Sequence, residues 1–358
     1  MRLIRVAALT AGAVALALVL VKANQRSIGL ALSERVMRQQ LGVSSLEGLP
    51  DGLHLVVCGS SSPMAAPGRA GPCLLIQAGD EVMVFDAGGG SSRQLGLMGV
   101  PAGEIDAIFL THLHSDHIDG LGEMILQSWA VGGRPAPLPV YGPVGTAQVV
   151  AGFNQAYAID ATYRIAHHGT DTIPPDGFGG VASEFTVEAD GSLIVYQSDD
   201  LTITAYKVDH DPVEPAVAFR IDYKDRRITI SGDTAYNDNM IEAARGADLL
   251  VHDGLQLDLV TMMEDIAKAN GNEQMAHIFH DITDYHATPE QAAQMAEAAG
   301  VDHLAFYHLI PPPPVRFIYP AFVGDAAKYF SGPITVTEDG MLFSLPAGTD
   351  KIRRQDLL

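Results

Sequence analysis

The chain has 358 residues, with 43 acidic side chains against 22 basic ones and a formal net charge of −21. That balance argues against a nucleic-acid partner, because phosphate backbones are held through Lys and Arg. It favours a neutral or small anionic substrate, drawn in locally by the charge of a metal. A hydrophobic content of 47% is enough for a large core, and 36 glycines with 21 prolines imply the many turns of a sheet-rich α/β chain.

Arg2 and Arg5 precede a sixteen-residue run, 6–21, that carries no charge. This is the pattern of a secretory signal, with Val21 and Ala23 at the positions a signal peptidase reads. It is also the pattern of an uncleaved anchor, although the run is short for a full membrane span. Residues 1–23 are therefore expected to be a signal peptide or N-terminal membrane anchor. The body is then exported, either periplasmic or anchored to the inner membrane facing the periplasm. Residues 24–52 read as a helical stalk, with Ile28, Leu30, Leu32, Val36 and Leu41 among polar residues. Residues 53–358 read as one domain.

Within that domain the alternation of apolar residues predicts strands at 53–58, 73–78, 82–86 and 107–110, then a long loop over 132–143. Further strands are expected at 201–208, 216–221 and 227–231. Helix and strand then alternate at 239–245, 249–252, 289–299 and 303–307. Thr288-Pro289-Glu290-Gln291 supplies a capping box with Pro in the first turn. Meanders followed by βα units in each half suggest two sheets sandwiched between helices. Cys58 and Cys73 are the only cysteines and sit at strand edges, so a hairpin could pair them; two buried free thiols are the alternative. Neither has a zinc-site partner at CxxC spacing.

The richest stretch is Thr111-His112-Leu113-His114-Ser115-Asp116-His117, with three histidines and one aspartate just after a strand. Imidazole nitrogens and carboxylate oxygens are ligands for zinc and similar ions. Four donors this close cannot all reach one small ion from a regular strand or helix. If the strand ends and turns into a helix, they divide between two adjacent metals, as in a two-metal hydrolytic site. Later donors follow predicted strands: His210, Asp233, His252 with Asp253, and His308. Donors at successive strand ends converge on one edge of a sheet, where open α/β folds place their sites.

These motifs, in this order, resemble metallo-β-lactamase-fold hydrolases of the branch that includes ribonuclease Z and the zinc-dependent periplasmic arylsulfatases. The matching residues are Cys58-Gly59-Ser60-Ser61-Ser62-Pro63, Phe85-Asp86-Ala87-Gly88, the HxHxDH set His112, His114, Asp116 and His117, then His210, Asp233 and His308. The resemblance implies an α/β (α+β) fold, the four-layer αβ/βα sandwich of that family. It implies two zinc ions, with iron or manganese also suited to such ligands. His112, His114 and His210 would hold one ion; Asp116, His117 and His308 the other; Asp233 would bridge. A water between the two ions would be the nucleophile, with Asp116 also counted among the catalytic residues. Asp86 resembles a residue that orients a ligand histidine.

In ribonuclease Z relatives a loop histidine paired with a glutamate protonates the leaving group. Here the loop is Tyr285-His286-Ala287-Thr288-Pro289, and the glutamate slot falls on Asp253, one methylene shorter. His286 is thus the expected general acid, held by Asp253 or a neighbour. His167-His168 either lines the pocket or coordinates nothing. Trp129, Phe153, Tyr157 and Tyr163 form either an apolar wall or core, and His277, His280 and His303 receive no role.

Export, acidity and the lack of a recognisable basic Gly/Pro-rich arm rank a small anionic ester above tRNA. The leading expectation is a dinuclear zinc hydrolase of a sulfate ester or phosphodiester, arylsulfatase or phosphodiesterase in type, with nucleic acid an unexpected partner. The alternatives are a ribonuclease Z-like 3′ tRNA-processing endoribonuclease and a non-catalytic metal-binding protein. Membrane anchoring through the N-terminus and a homodimer are compatible with the sequence.

Overall fold

Apolar β-formers, punctuated by Gly, Asp and Pro, build the strands of this chain. The computed structural model describes residues 2–40, 44–188 and 191–358. Leu41 of the expected stalk and the side chains of Arg2 and Arg5 lie outside the described residues. The chain divides into two units, Met1–Glu47 and Gly48–Leu358.

The first unit consists of helices Arg2–Ala23 and Gln25–Gln40. Between them Asn24 donates its side-chain amide to the Leu20 carbonyl at 2.9 Å. Among the described residues no single helix is long and apolar enough to cross a membrane. Gly12–Ala23 and Gln25–Arg38 meet that requirement only as a pair, bent by 68°. This corrects the expected transmembrane anchor. The uncharged run stops at Lys22, and the helix after the bend carries Arg26, Glu34, Arg35 and Arg38, which a bilayer interior disfavours.

Among its described residues the second unit holds fifteen strands: β1 Gly52–Gly59, β2 Cys73–Ala78, β3 Glu81–Phe85, β4 Ala107–Phe109, β5 Leu138–Pro143, β6 Gly180–Phe185, β7 Ser192–Gln197, β8 Leu201–Lys207, β9 Val217–Tyr223, β10 Arg226–Ile230, β11 Leu249–Leu255, β12 His303–Ile310, β13 Ile334–Val336, β14 Met341–Pro346 and β15 Arg353–Asp356. One sheet runs β15-β14-β1-β2-β3-β4-β5-β6 and the other β13-β12-β11-β10-β9-β8-β7. Their facing sides share one core, in which Leu55, Ile76, Phe85 and Phe109 meet Ile203, Phe219, Ile230 and Tyr307. Helices Asp238–Ala244 and Pro289–Ala299 cover the outer face of the second sheet through an alanine-rich seam that includes Ala243, Ala292 and Ala296. Leu121–Ala130 and Thr146–His168 lie on the first sheet, around Leu126, Trp129 and Ala161. The expected sandwich is therefore present.

Three sequence expectations change in detail. β5 occupies the second half of the predicted loop, because parallel pairing with β4 and β6 holds a Pro-containing segment that has no strong strand pattern of its own. Asp253 and His308 lie inside β11 and β12 rather than after them. The two strands pair His252 with Phe306 and then Gly254 with Leu309, so β12 takes three steps to β11's two. This bulge redirects His308, whose φ is +44°. Cys58 and Cys73 are joined as a disulfide, their Cα atoms 5.0 Å apart. The capping box at Thr288 is formed as its sequence indicates.

His303 opens β12, with Nε2 2.9 Å from Thr335 Oγ1. Burial first, and then the Arg354 charge, push its pKa from 6.5 down to about 4. Between those values the unfolded chain binds a proton that the folded chain refuses, so stability should fall as pH drops from 6.5 through 4. The loss is on the order of 3 kcal/mol at most. Chemical denaturation of His303→Gln across this window should give a flatter profile than wild type; an unchanged slope would assign the pH dependence elsewhere.

Candidate metal centre

Five chain segments end at one edge of the sandwich. The stretch after β4 brings His112 and His114, and the short helix Ser115–Ile118 brings Asp116 and His117. The segment after β8 brings His210, the segment after β10 brings Asp233, and the bulge of β12 brings His308. Backbone hydrogen bonds tie these segments to the loops and strands beside them: Val217 N–H to the Thr111 carbonyl (3.0 Å), Ala87 N–H to the His117 carbonyl (2.8 Å) and Leu309 N–H to the Ser60 carbonyl (3.2 Å). Two glycines permit the approach. A Cβ on Gly88 would lie 2.4 Å from the Asp116 carbonyl oxygen, and Gly232, at φ +63°, passes against Thr111 just before Asp233.

Asp233 is at the middle. Its Oδ2 lies 3.2 Å from Nε2 of both His117 and His308, 3.8 Å from His112 Nε2 and 4.0 Å from His210 Nε2. Two subsets follow: His112, His114, His210 and Asp233, and Asp116, His117 and His308, with the ligand atoms of each within 4.8 Å of one another. Asp116 Oδ2 stands 3.1 Å from His308 Nε2 and 3.6 Å from His117 Nε2, and His210 Nε2 stands 3.3 Å from His114 Nδ1. Atoms that each sit about 2.1 Å from a shared ion are roughly 3–3.5 Å apart, so several of these spacings suit a divalent cation. His112 Nε2, Asp233 Oδ1 and His308 Nδ1 are buried polar atoms without a hydrogen-bond partner among the described residues. The two nitrogen-rich and oxygen-containing sets can hold metal ions.

The charge balance agrees. Burial holds the His112 imidazole well below its ordinary pKa and lowers His114 and His210, leaving neutral ligands. Burial pushes His117 and His308 the same way, but nearby carboxylates outweigh it and raise both, Asp233 and Asp86 for His117 and Asp233 and Asp116 for His308. Burial likewise opposes ionisation of Asp233, and the imidazoles of His308 and His117 overcome it, keeping the carboxyl well below its usual range. The cluster calls for positive charge at its centre.

Outer contacts orient the ligands. Asp86, at φ +56°, accepts from the Thr111 N–H and hydroxyl at 2.9 Å and from His117 Nδ1 at 2.8 Å. His210 Nδ1 donates to the Tyr285 carbonyl at 2.9 Å, and Thr111 Oγ1 is 3.0 Å from His112 Nδ1. His286 Nδ1 donates to Asp253 Oδ2 at 2.9 Å, and its ring lies 5.1 Å from His210 and 5.5 Å from His308. One ligand-sized grouping also includes His286 with Asp233 and His308.

His112, His114, Asp116, His117, His210, Asp233 and His308 meet here, His286 joins them with Asp253 behind it, and His252, also expected at a strand end, stays outside these groupings. His167 and His168 do not; they are exposed at the end of helix Thr146–His168. Trp129 is core, donating Nε1–H to the Pro174 carbonyl at 2.7 Å. Sequence reading missed Thr111 and Tyr285, although each immediately precedes a motif histidine. It also missed Asp339, which accepts from Ser60 N–H and Oγ–H, Ala70 N–H and the Gln94 side chain, and so fixes the serine loop beside β12. No local pattern marks that aspartate.

Residues 83–309 match the model of the beta-lactamase superfamily domain. The chain belongs to that superfamily. It is a metal-dependent hydrolase of the ribonuclease Z branch: ribonuclease Z of Mycobacterium bovis is 37% identical over 72% of this chain and 86% of its own. Ribonuclease Z of Mycobacterium avium is 36% identical over the same shares. Among solved structures, human tRNase Z, short form, matches with TM-score 0.58 at 22% identity, covering 82% of this chain and 99% of its own. The metallo-beta-lactamase fold protein YhfI of Bacillus subtilis gives 0.57 at 23%, with the same coverage. At such identities the structures bear on the fold alone.

The curated relatives overturn several expectations. The arylsulfatase-like reading, with a small sulfate ester as substrate, gives way, because the relatives are named ribonuclease Z. The exclusion of nucleic acid falls with it. Net charge sums the whole surface, whereas a phosphodiester can be gripped at one point by metal ions. The exported placement, with its signal peptide and periplasmic or inner-membrane location, also fails: the branch matched is ribonuclease Z rather than the periplasmic arylsulfatases.

Asp233→Ala should lose both ions, and His114→Ala or His308→Ala one each, by metal analysis of dialysed protein. Asp86→Asn should weaken binding at the His117 side about 10- to 100-fold. Full occupancy in the Asp233 variant would refute the shared position.

Proposed function

We propose that this protein is a ribonuclease Z-like endoribonuclease that cleaves a phosphodiester near the 3′ end of precursor tRNA. The observation that carries the reading is the complete donor set around Asp233, in a chain 35–37% identical to several ribonuclease Z relatives. His112, His114 and His210 with Asp233 would hold one zinc ion, and Asp116, His117 and His308 with Asp233 the second. When bound, such ions stabilise charge on phosphate oxygens and acidify water.

The chain's own residues supply the rest. Asp86 and the Tyr285 carbonyl hold His117 and His210 so that each Nε2 faces inward. A leaving alkoxide needs a proton. His286 Nδ1–H is committed to Asp253, so Nε2 is the nitrogen that can carry that proton to the site. Asp253 stands where the resemblance implies a longer glutamate, and the 2.9 Å contact supports its serving that purpose from β11. One aromatic residue flanks the proton donor: Tyr285 lies 4.8 Å from His286 and 4.7 Å from His210, ring to ring.

The full chain with bound metal should cut a 3′-extended tRNA and an aryl phosphodiester far faster than an aryl sulfate. Greater turnover of the sulfate, or no RNA cleavage with two ions bound, would overturn the reading. His286→Ala should lower RNA cleavage about 10²–10⁴-fold and leave an aryl phosphodiester, whose leaving group needs no proton, much less affected. With few basic residues to neutralise phosphates, RNA affinity should depend weakly on salt, the log–log slope being shallower than about −3. A steep slope in a filter-binding titration would point to a basic surface instead.

A further inference from the structure

Asp253 has two carboxylate oxygens, and the contact with His286 uses one. The other, Oδ1, lies 2.9 Å from Nδ1 of His252. The same Nδ1 is 2.8 Å from the backbone carbonyl of Asp253. A carbonyl oxygen only accepts, so Nδ1 carries the hydrogen and donates it to that carbonyl; Oδ1 lies against the ring but has no hydrogen-bond partner among the described residues. The Asp253 N–H donates to Ser231 Oγ at 3.0 Å. His252 and Asp253 are both fully buried on β11, beside the bulge that redirects His308. His252 Nε2 has no hydrogen-bond partner among the described residues, so the ring's polar contacts there are made through Nδ1, toward Asp253.

We propose that His252 is a positioning residue of the hydrolytic reaction: it fixes the Asp253 carbonyl and sets its ring against Oδ1, so that Oδ2 holds His286 with Nε2 toward the leaving oxygen. This rests on the reading of His286 as proton donor. An aspartate side chain turns about two bonds. Its backbone N–H is tied to Ser231 and its carbonyl to His252, Oδ2 is bonded to His286, and the His252 ring stands 2.9 Å from Oδ1, so both rotations are restricted. The shorter aspartate needs this more than a glutamate would, because it cannot adjust its reach by a third rotation. The state of the carboxyl is consistent: burial raises its pKa, and the adjacent imidazoles of His252 and then His286 bring it below the ordinary value.

The test compares full-length, metal-loaded wild type with His252→Leu, His252→Asn, His286→Ala and the Leu/Ala double variant. Each is assayed on 3′-extended tRNA and on a 4-nitrophenyl phosphodiester. The asparagine amide places a donor near the position of Nδ1; leucine fills the space without one. His252→Leu is expected to lose about 10- to 100-fold on RNA and less than about 3-fold on the aryl ester, with metal content unchanged. His252→Asn should recover most of that loss, and the double variant should be no slower on RNA than His286→Ala. Equal losses on both substrates, or additive losses in the double variant, would show a merely structural role and overturn the proposal. If His252→Leu does not fold, His252→Asn against His252→Gln, whose donor sits one bond too far, gives the same contrast. Selective loss in His286→Ala without it in the His252 variants sinks only this inference; no selectivity in His286→Ala removes the proton-donor reading as well.

Discussion

A carboxylate with no water around it must find positive charge nearby, and Asp233 is such a carboxylate. It is fully buried, with four imidazoles within 4.0 Å of one oxygen. Desolvating the ion costs several kcal/mol, which imidazoles alone compensate only by taking up protons. Divalent cations do so better, and they let the histidines act as neutral ligands. The location of that one oxygen explains why segments from both sheets have to arrive together. The sandwich supplies the rigidity: β4 on one sheet and β8, β10 and β12 on the other deliver the ligands from a shared apolar core.

The cost of convergence is visible in the backbone. Asp86 and His308 adopt left-handed conformations that side chains rarely accept, and both stand at the centre. Gly88 and Gly232 remove the Cβ atoms that would hold neighbouring segments apart. Around them hydrogen bonds close the arrangement: Asp86 to Thr111 and His117, Asp339 to the serine loop, and the Ala287 N–H to the Thr234 carbonyl at 2.8 Å, which sets the His286 loop against the Asp233 loop.

Much of this could be read in the sequence, for definite reasons. His112 to His117 declare themselves by density, and His210, Asp233 and His308 by following apolar runs that are strands. β5 to β7 and the long helix Thr146–His168 were not legible in the same way. β6, β7 and the helix are largely exposed and β5 is interrupted by prolines, so none shows a clean period and neighbouring elements decide their conformation. Asp339 reaches Ser60 across 279 positions, a separation no local pattern reveals. The whole-chain charge misled about the partner because it reports an average and the chemistry is local. The N-terminal run misled for a related reason. Composition alone made residues 6–21 resemble an export signal, while the ordered motifs of the remaining chain carried the kinship that decides against it.

The bulge in β12 has one further implication. Along a regular strand, adjacent side chains point to opposite faces, so the orientation of every residue depends on a count. Between Phe306 and Leu309 that count is deliberately uneven relative to β11. The centre is therefore protected in an asymmetric way. Exchanging one apolar side chain for another nearby changes packing by degrees. Losing or gaining one residue in this short interval reverses what faces the metal and what faces the core, all at once. Lineages of this enzyme should thus vary freely in side-chain identity around His308 while keeping the spacing there fixed, with changes in length confined to the outer loops.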